Sequence, residues 1–263
     1  MAESVDPFCA SIVELLADKL SITIELVHDI SWQERERLFD SGHIHICWIC
    51  GLPYILKRDH GRPPVELLAA PVMQGKRYQN SPVYFSDVVV LSGSRFKTFE
   101  DLRGARWAYN EPRSHSGYEV VRERLSKMNE TLSFFEQVVE SGAHHISLDM
   151  ILAGRIDGSA IDSTVLESLL EQHPEIARRL SVIETLGPSP MPPWICHGKL
   201  PAGIRDKVKS ILLAMHLDQR GRRLLDSARV SHFAPVEDRF YDPIRQCAGK
   251  RNAADESAIT IQY

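Results

Sequence analysis

Three short polar segments hold residues whose types and spacing could do chemistry: Ser114-His115-Ser116-Gly117, His144-His145 and Asp162-Ser163-Thr164. Two chemistries use such a set. Small hydroxyl residues opening a helix aim O–H and N–H groups the same way. The first amides of a helix have no internal partner and carry the positive end of its dipole, so such a turn suits an oxyanion. Alternatively, Ser116, His144 and Asp162 supply the residue types of a hydrolytic triad. No G-x-S-x-G elbow surrounds Ser116, and this serine opens a helix, which favours the anion chemistry. Each segment alone also reads as an ordinary helix cap, with Ser163 or Thr164 capping one helix and a serine of the first turn another. Several such turns at equivalent strand ends favour a shared polyoxyanion site over unrelated caps.

The elements that must position these residues follow from hydrophobic periodicity. Ala105–Asn110 reads as a strand, and Val120, Val121 and Leu125 mark the helix after the serine turn. Upstream, Phe8, Ile12, Leu15, Leu16 and Leu20 have helical spacing. The β-branched run Ile22–Val27 predicts a strand, Ser31 an N-cap for a helix through about Phe39, and residues 44–50 and 66–72 two more strands. Val83–Leu91, Phe134–Glu140, Gly158–Ile161, Ser181–Thr185 and Trp194–His197 complete the predicted strands. Thr98–Leu102 is expected to be a short helix, and Leu148–Leu152 a helix closed by Gly154. An amphipathic helix is expected over Ile204–Met215, further helices to about Cys247, and a frayed polar stretch from Lys250 to Ser257. A βαβα rhythm of this kind predicts parallel sheets covered by helices, whose strand-end loops face one crevice.

Prolines near residues 80–83 and 187–193 interrupt the rhythm. They predict two lobes: residues 1–82 with 190–263, and an inserted lobe of residues 83–189. Two linking strands would form a hinge, with the ligand cleft between the lobes. Tyr54 follows the apolar strand of the first lobe, and Tyr84 and Ser86 lie on the crossing, so all three are candidate cleft residues.

Composition excludes several classes. The 263 residues are 43% hydrophobic and 25% charged with a net charge of −4, ordinary for a globular protein and without the positive field that recruits nucleic acid. No apolar run approaches the roughly 20 residues that span a bilayer. The five cysteines, Cys9, Cys47, Cys50, Cys196 and Cys247, are odd in number and scattered, which argues against a disulfide framework. Cys47-Trp48-Ile49-Cys50 has C-x-x-C spacing but lies in a run that reads as a buried strand, so core packing is the expectation. Neither a metal nor a cofactor is expected.

In order along the chain, Cys50-Gly51-Leu52-Pro53-Tyr54, Pro82-Val83-Tyr84-Phe85-Ser86, Ser114-His115-Ser116-Gly117-Tyr118, Ser141-Gly142-Ala143-His144 and Asp157-Gly158-Ser159-Ala160-Ile161-Asp162-Ser163 resemble the phosphate/phosphite/phosphonate substrate-binding proteins of ABC importers. The resemblance implies a two-lobed α/β fold of the type II periplasmic-binding-protein class, each lobe a mainly parallel sheet flanked by helices. It implies a non-enzymatic protein that closes on a small phosphorus oxyanion and delivers it to a transporter permease. By that likeness, Ser114, His115, Ser116 and the Gly117 amide would hold the ligand oxygens. His144 would donate to one, Tyr54 and Tyr84 would close over the ligand, and Asp162 with Ser163 would meet a protonated oxygen or an amine.

Two departures stand out. The family usually has Thr or another small hydroxyl residue at the position of His115. It also begins with a strand before its first helix, so the first lobe is expected to lack a central strand, and a truncated reading frame would account for that. Met1-Ala2-Glu3-Ser4-Val5-Asp6-Pro7 has no basic or apolar signal region. The resemblance implies a periplasmic protein, and a cytoplasmic one if this chain is the complete product. The alternatives are a cytoplasmic ligand-sensing relative and an enzyme on the same scaffold. For the enzyme, turnover of ester substrates abolished by Ser116→Ala is the discriminating result.

Overall fold

The computed structural model describes residues 6–248; the Lys250–Ser257 stretch lies outside them. In chain order the elements are α1 (Asp6–Leu20), α2 (Trp32–Ser41), β1 (Ile46–Trp48), α3 (Gly51–His60), β2 (Val65–Met73), β3 (Val83–Leu91) and β4 (Arg106–Tyr109). A π turn (His115–Glu119) then leads into α4 (Val120–Lys127), followed by β5 (Gln137–Glu140), α5 (His144–Leu152), β6 (Gly158–Asp162), α6 (Ser163–Gln172), α7 (Pro174–Ala177) and β7 (Leu180–Pro190). The chain closes with β8 (Trp194–His197), α8 (Ala202–Ala214), α9 (Gln219–Ser227), β9 (Val230–Ala234) and α10 (Asp242–Ala248).

The strands form two sheets, ordered β1-β8-β2-β9 and β5-β4-β6-β3-β7. Helices cover both faces of each. On the first sheet, α1, α8 and α9 pack Ile12, Leu15, Val208, Leu212 and Leu225 against one face, and α3 and α10 pack Leu52, Ile55 and Ile244 against the other. On the second, Trp107 with Phe99, Phe134 and Phe135 fills one side, and Leu148, Ile151 and Leu166 of α5 and α6 fill the other. Val88, Val89 and Val90 of β3 are consecutive and fully buried, as a strand covered on both faces requires. The architecture is two-lobed α/β, as expected.

The ladders are less parallel than expected. Every pairing in the first sheet is antiparallel. In the second, β4 pairs parallel with β5 and β6, whereas β3 pairs antiparallel with β6 and β7. The cause is the double crossing. β8, returning from the second sheet, inserts between β1 and β2, which point the same way and would otherwise have been parallel neighbours.

Two segments differ from the sequence expectation. Ile22–Val27 is extended but forms no strand. A β-branched run needs a ladder partner, and among the described residues it has none. Ile24 packs on the core while Ile22 and Val27 stay 42% and 40% exposed, and β1 is a sheet edge. Val230–Ala234, expected within a helical stretch, is strand β9. It buries Val230 and Phe233 and pairs antiparallel with the free edge of β2.

Ion pairs tie the sheets together beside the crossing. Asp87 of β3, nearly fully buried, takes a bidentate contact from Arg77 at 2.8 and 3.0 Å and a hydrogen bond from Thr185 of β7 at 2.8 Å. Arg77 also reaches Glu167 of α6 at 3.0 Å, and Arg229, just before β9, meets Glu171 of α6 at 2.6 Å. Arg77 and Arg229 come from the connections flanking the first sheet, and their partners belong to the second.

Candidate functional site

The predicted polar turns do converge. A cavity of about 90 Å³ lies between the two sheets, room for several water molecules. It is lined by Trp48, Cys50, Asn110, Glu111, Ser114, Ser116, Gly142, Ala143, His144, Asp162, Thr164, Val165, Met191 and Pro192. Four helix N-termini end on it: Cys50 begins α3, Ser114 the π turn, Ala143 α5 and Asp162 α6. Cys50 and Ala143 offer no side-chain cap to their helices, so the first amides of α3 and α5 have no capping side chain.

The serine turn is built for close approach. The Gly117 amide donates to Ser114 Oγ at 3.0 Å, and Ser114 Oγ lies 3.4 Å from Ser116 Oγ. The chain winds as a π turn, with the Glu119 amide donating to the Ser114 carbonyl at 3.1 Å, a form common at functional sites. A Cβ at Gly117 would sit 2.0 Å from Asn110 Oδ1, so any side chain there would displace the Asn110 amide. Ser116 Oγ is 3.1 Å from His144 Nε2. His144 Nδ1 is buried without a partner, so no carboxylate orients this imidazole as a catalytic triad requires.

Burial sets the protonation states. It pushes His144 down to about 3 and His115 to about 4, so both imidazoles are neutral at pH 7. Asp162 moves the other way: burial raises it to about 6, against the lowering effect of hydrogen bonds from the Thr164 hydroxyl and amide. Those bonds, 2.7 and 2.8 Å to Oδ1, cap α6. Burial also raises Cys50 to about 11, with Glu111 and Asp162 adding to the rise. Cys47 rises to about 12, so neither thiol of the C-x-x-C is a nucleophile at neutral pH. Among the described residues no lysine or arginine lines the cavity.

The sequence-predicted residues divide into two groups. Ser114, Ser116, His144 and Asp162 line the cavity. Tyr84 is fully buried, with a hydroxyl raised chiefly by burial and then by Asp162 and Cys50, so it lies under the floor of the site. The others face elsewhere. Tyr54, one turn into α3, packs on Tyr241 at 4.8 Å and donates to Asp238 at 2.7 Å. His115 leaves the π turn on the far side and meets Ser189 Oγ at 3.0 Å. Ser163 Oγ accepts from the Phe85 amide at 3.1 Å and from Tyr78 at 3.3 Å, which fixes β3 to α6. Ser86 is fully buried on β3, its hydroxyl without a partner. Gly117 contributes its lack of a side chain.

Sequence reasoning missed Asn110, Glu111, Cys50 and the apolar wall of Trp48, Val165, Met191 and Pro192. Asn110 and Glu111 end the strand that precedes the serine turn, a signal that was available. Trp48 donates from Nε1 to the Pro192 carbonyl at 2.9 Å, a contact between the end of β1 and the crossing that no local pattern reveals. The Arg113 guanidinium stands 5.4 Å over the ring of Trp32, which opens α2.

A family model described as ABC transporter, phosphonate, periplasmic substrate-binding protein matches residues 3–241. The chain belongs to this family. Family membership makes it a substrate-binding transport component, with a small-molecule ligand and a transporter as partner. A curated relative, a probable ABC transporter phosphite binding protein, PhnD1, from Prochlorococcus marinus (strain MIT 9301), is 20% identical over 244 residues, covering 90% of this chain and 82% of the relative. Among solved structures, a binding protein component of an ABC phosphonate transporter from Pseudomonas aeruginosa superposes with a TM-score of 0.83 at 17% identity, covering 98% of this chain and 89% of that one. PhnD1 from P. marinus in complex with methylphosphonate gives 0.81 at 18%, covering 95% and 94%. At these identities the superpositions establish the shared fold. Among the described residues, no helix is long and apolar enough to cross a membrane.

Proposed function

We propose that this protein is a non-enzymatic solute-binding component that captures a small phosphorus oxyanion, a phosphonate, phosphite or phosphate, and delivers it to an ABC permease from the periplasmic side. The observation that carries the reading is the meeting of four helix N-termini and two serine hydroxyls on one cavity sized for a tetrahedral anion. Ser114, Ser116, the amides opening α5, and His144 supply donors for its oxygens. Trp48, Met191 and Pro192 offer an apolar wall to whatever substituent the phosphorus carries. The relative crystallised with methylphosphonate supports this ligand class.

Two lobes, residues 1–82 with 190–263 and residues 83–189, close about β3 and the β7–β8 crossing. The cavity draws Trp48, Cys50 and Pro192 from one side and the serine turn, α5 and α6 from the other, so ligand bridges the lobes and favours the closed form. Calorimetric titration with phosphate, phosphite, methylphosphonate and 2-aminoethylphosphonate tests the reading. At least one should bind, and Ser114→Ala should weaken it by about 1–3 kcal/mol, the worth of a hydrogen bond to a charged group. A folded sample giving no heat with any of the four refutes it.

A further inference from the structure

Behind the serine turn, one side chain joins two walls of the cavity. His115 stands between Ser114 and Ser116 in sequence, yet they line the cavity and it does not. Its Nε2 lies 3.0 Å from Ser189 Oγ, and both residues are only 4% exposed. His115 Nδ1 is buried without a partner. Burial keeps the ring neutral at pH 7, and a neutral imidazole either donates or accepts in this bond. Ser189 lies near the end of β7, just before Met191 and Pro192 of the apolar wall. That wall is itself fixed. Tyr241, just before α10, donates from its hydroxyl to the Met191 carbonyl at 3.1 Å, Trp48 Nε1 donates to the Pro192 carbonyl at 2.9 Å, and the Ile49 amide donates to the Pro193 carbonyl at 3.2 Å. The serine turn is held from its far side, by His115 at its start and, at its end, by a weak bond from Cys247 Sγ of α10 to the Glu119 carbonyl at 3.4 Å.

We propose that His115 is a positioning residue that sets the spacing between the serine turn and the apolar crossing, and so restricts the phosphorus substituent to a small one: a hydrogen, a hydroxyl or a methyl group. This deepens the phosphorus-oxyanion reading and rests on it. The ring itself does not touch the ligand. It props Ser114 and Ser116 forward, at the depth where their hydroxyls meet the ligand oxygens while the substituent meets Met191 and Pro192. A smaller side chain at this position leaves buried space behind the turn and no bond to Ser189. Buried surroundings relax in part into such a space, so the turn settles back. Its hydroxyls then recede from the oxygens of a small ligand, and the cavity, about 90 Å³ as built, lengthens for a larger one.

The test is calorimetry on the full chain with phosphate, phosphite, methylphosphonate and propylphosphonate. The two phosphonates carry the same charged group, so their comparison isolates size. Wild type should prefer its best small ligand to propylphosphonate by at least about a hundredfold. Ser189→Ala, which removes the bond and leaves the ring in place, should narrow that preference by about three- to tenfold. His115→Ala should narrow it further, with most of the loss falling on the small ligand. His115→Gln, whose side-chain amide reaches about as far as the imidazole Nε2, should restore the preference to within about threefold of wild type. Urea unfolding establishes that each variant is folded, and Ser189→Ala decides the outcome if His115→Ala does not fold. Equal losses for every ligand in Ser189→Ala, the mark of a merely structural bond, overturn the proposal and leave the phosphorus-oxyanion reading intact. So do a glutamine variant as permissive as the alanine one and a wild type that takes propylphosphonate as well as methylphosphonate. Binding of none of the four by folded wild type overturns both.

Discussion

Asp162→Asn should make the protein more stable at neutral pH in the absence of ligand. The reason is the cost of ionising Asp162 in the folded state. Its carboxyl is raised from 3.8 to about 6, first by burial. A carboxyl raised on folding holds its proton more tightly in the native state than in the unfolded chain. Below pH about 4 both states are protonated and there is no cost. Between about 4 and 6 the unfolded chain ionises first, so stability falls as pH rises. Above about 6 the cost is constant, and a shift of this size corresponds to at most about 3 kcal/mol. Asparagine removes that cost and keeps the hydrogen bonds to α6 through its side-chain oxygen, at a loss of about 0.5 kcal/mol of charge–dipole attraction. The net gain is about 1–2.5 kcal/mol above pH 6 and near zero at pH 4. Urea unfolding of wild type and variant at a series of pH values reads this directly as a shift in midpoint at constant slope. A variant no more stable than wild type at pH 8, or one whose advantage is as large at pH 4, refutes the reasoning.

Three further substitutions separate binding from scaffold. Tyr54→Phe should cost about 1 kcal/mol of stability by deleting the bond to Asp238 and leave ligand affinity unchanged, which calorimetry and denaturation check together; a large loss of affinity would return Tyr54 to the site. Gly117→Ala places a methyl against Asn110 Oδ1 and should destabilise by about 1–3 kcal/mol while abolishing detectable binding. Arg113→Ala removes the guanidinium over Trp32, an exposed cation–π contact between residues of the two proposed lobes worth about 0.5–1 kcal/mol; urea unfolding should show a loss of about that size, and ligand dissociation measured by stopped-flow should speed by about two- to fivefold.

Much of this protein was legible in its sequence. Hydrophobic period and cap residues located most strands and helices, though not α3 or β9, because those signals are local: Ser31 accepts from the Glu34 amide just where a helix was expected. The convergence of Ser114, Ser116, His144 and Asp162 was also legible, since strand-end loops of an α/β sheet share one side. Which hydroxyl faces the cavity was not. Ser163 and Ser116 both follow strands and both open helices, yet Ser163 is turned to the Phe85 amide and Ser116 to the cavity. His115 and Tyr54 were misdirected in the same way, by a π turn and by packing on Tyr241. The antiparallel ladders of the first sheet and strand β9 likewise depend on β8 and β2, segments distant in sequence. Local physics determines where the chain bends, caps and pleats, because a residue's nearest neighbours supply the hydrogen bonds. Orientation of a side chain, its ionisation and the joining of two lobes around one cavity are decided only in three dimensions, because burial and partner groups come from segments more than a hundred residues apart, as with Trp48 and Pro192.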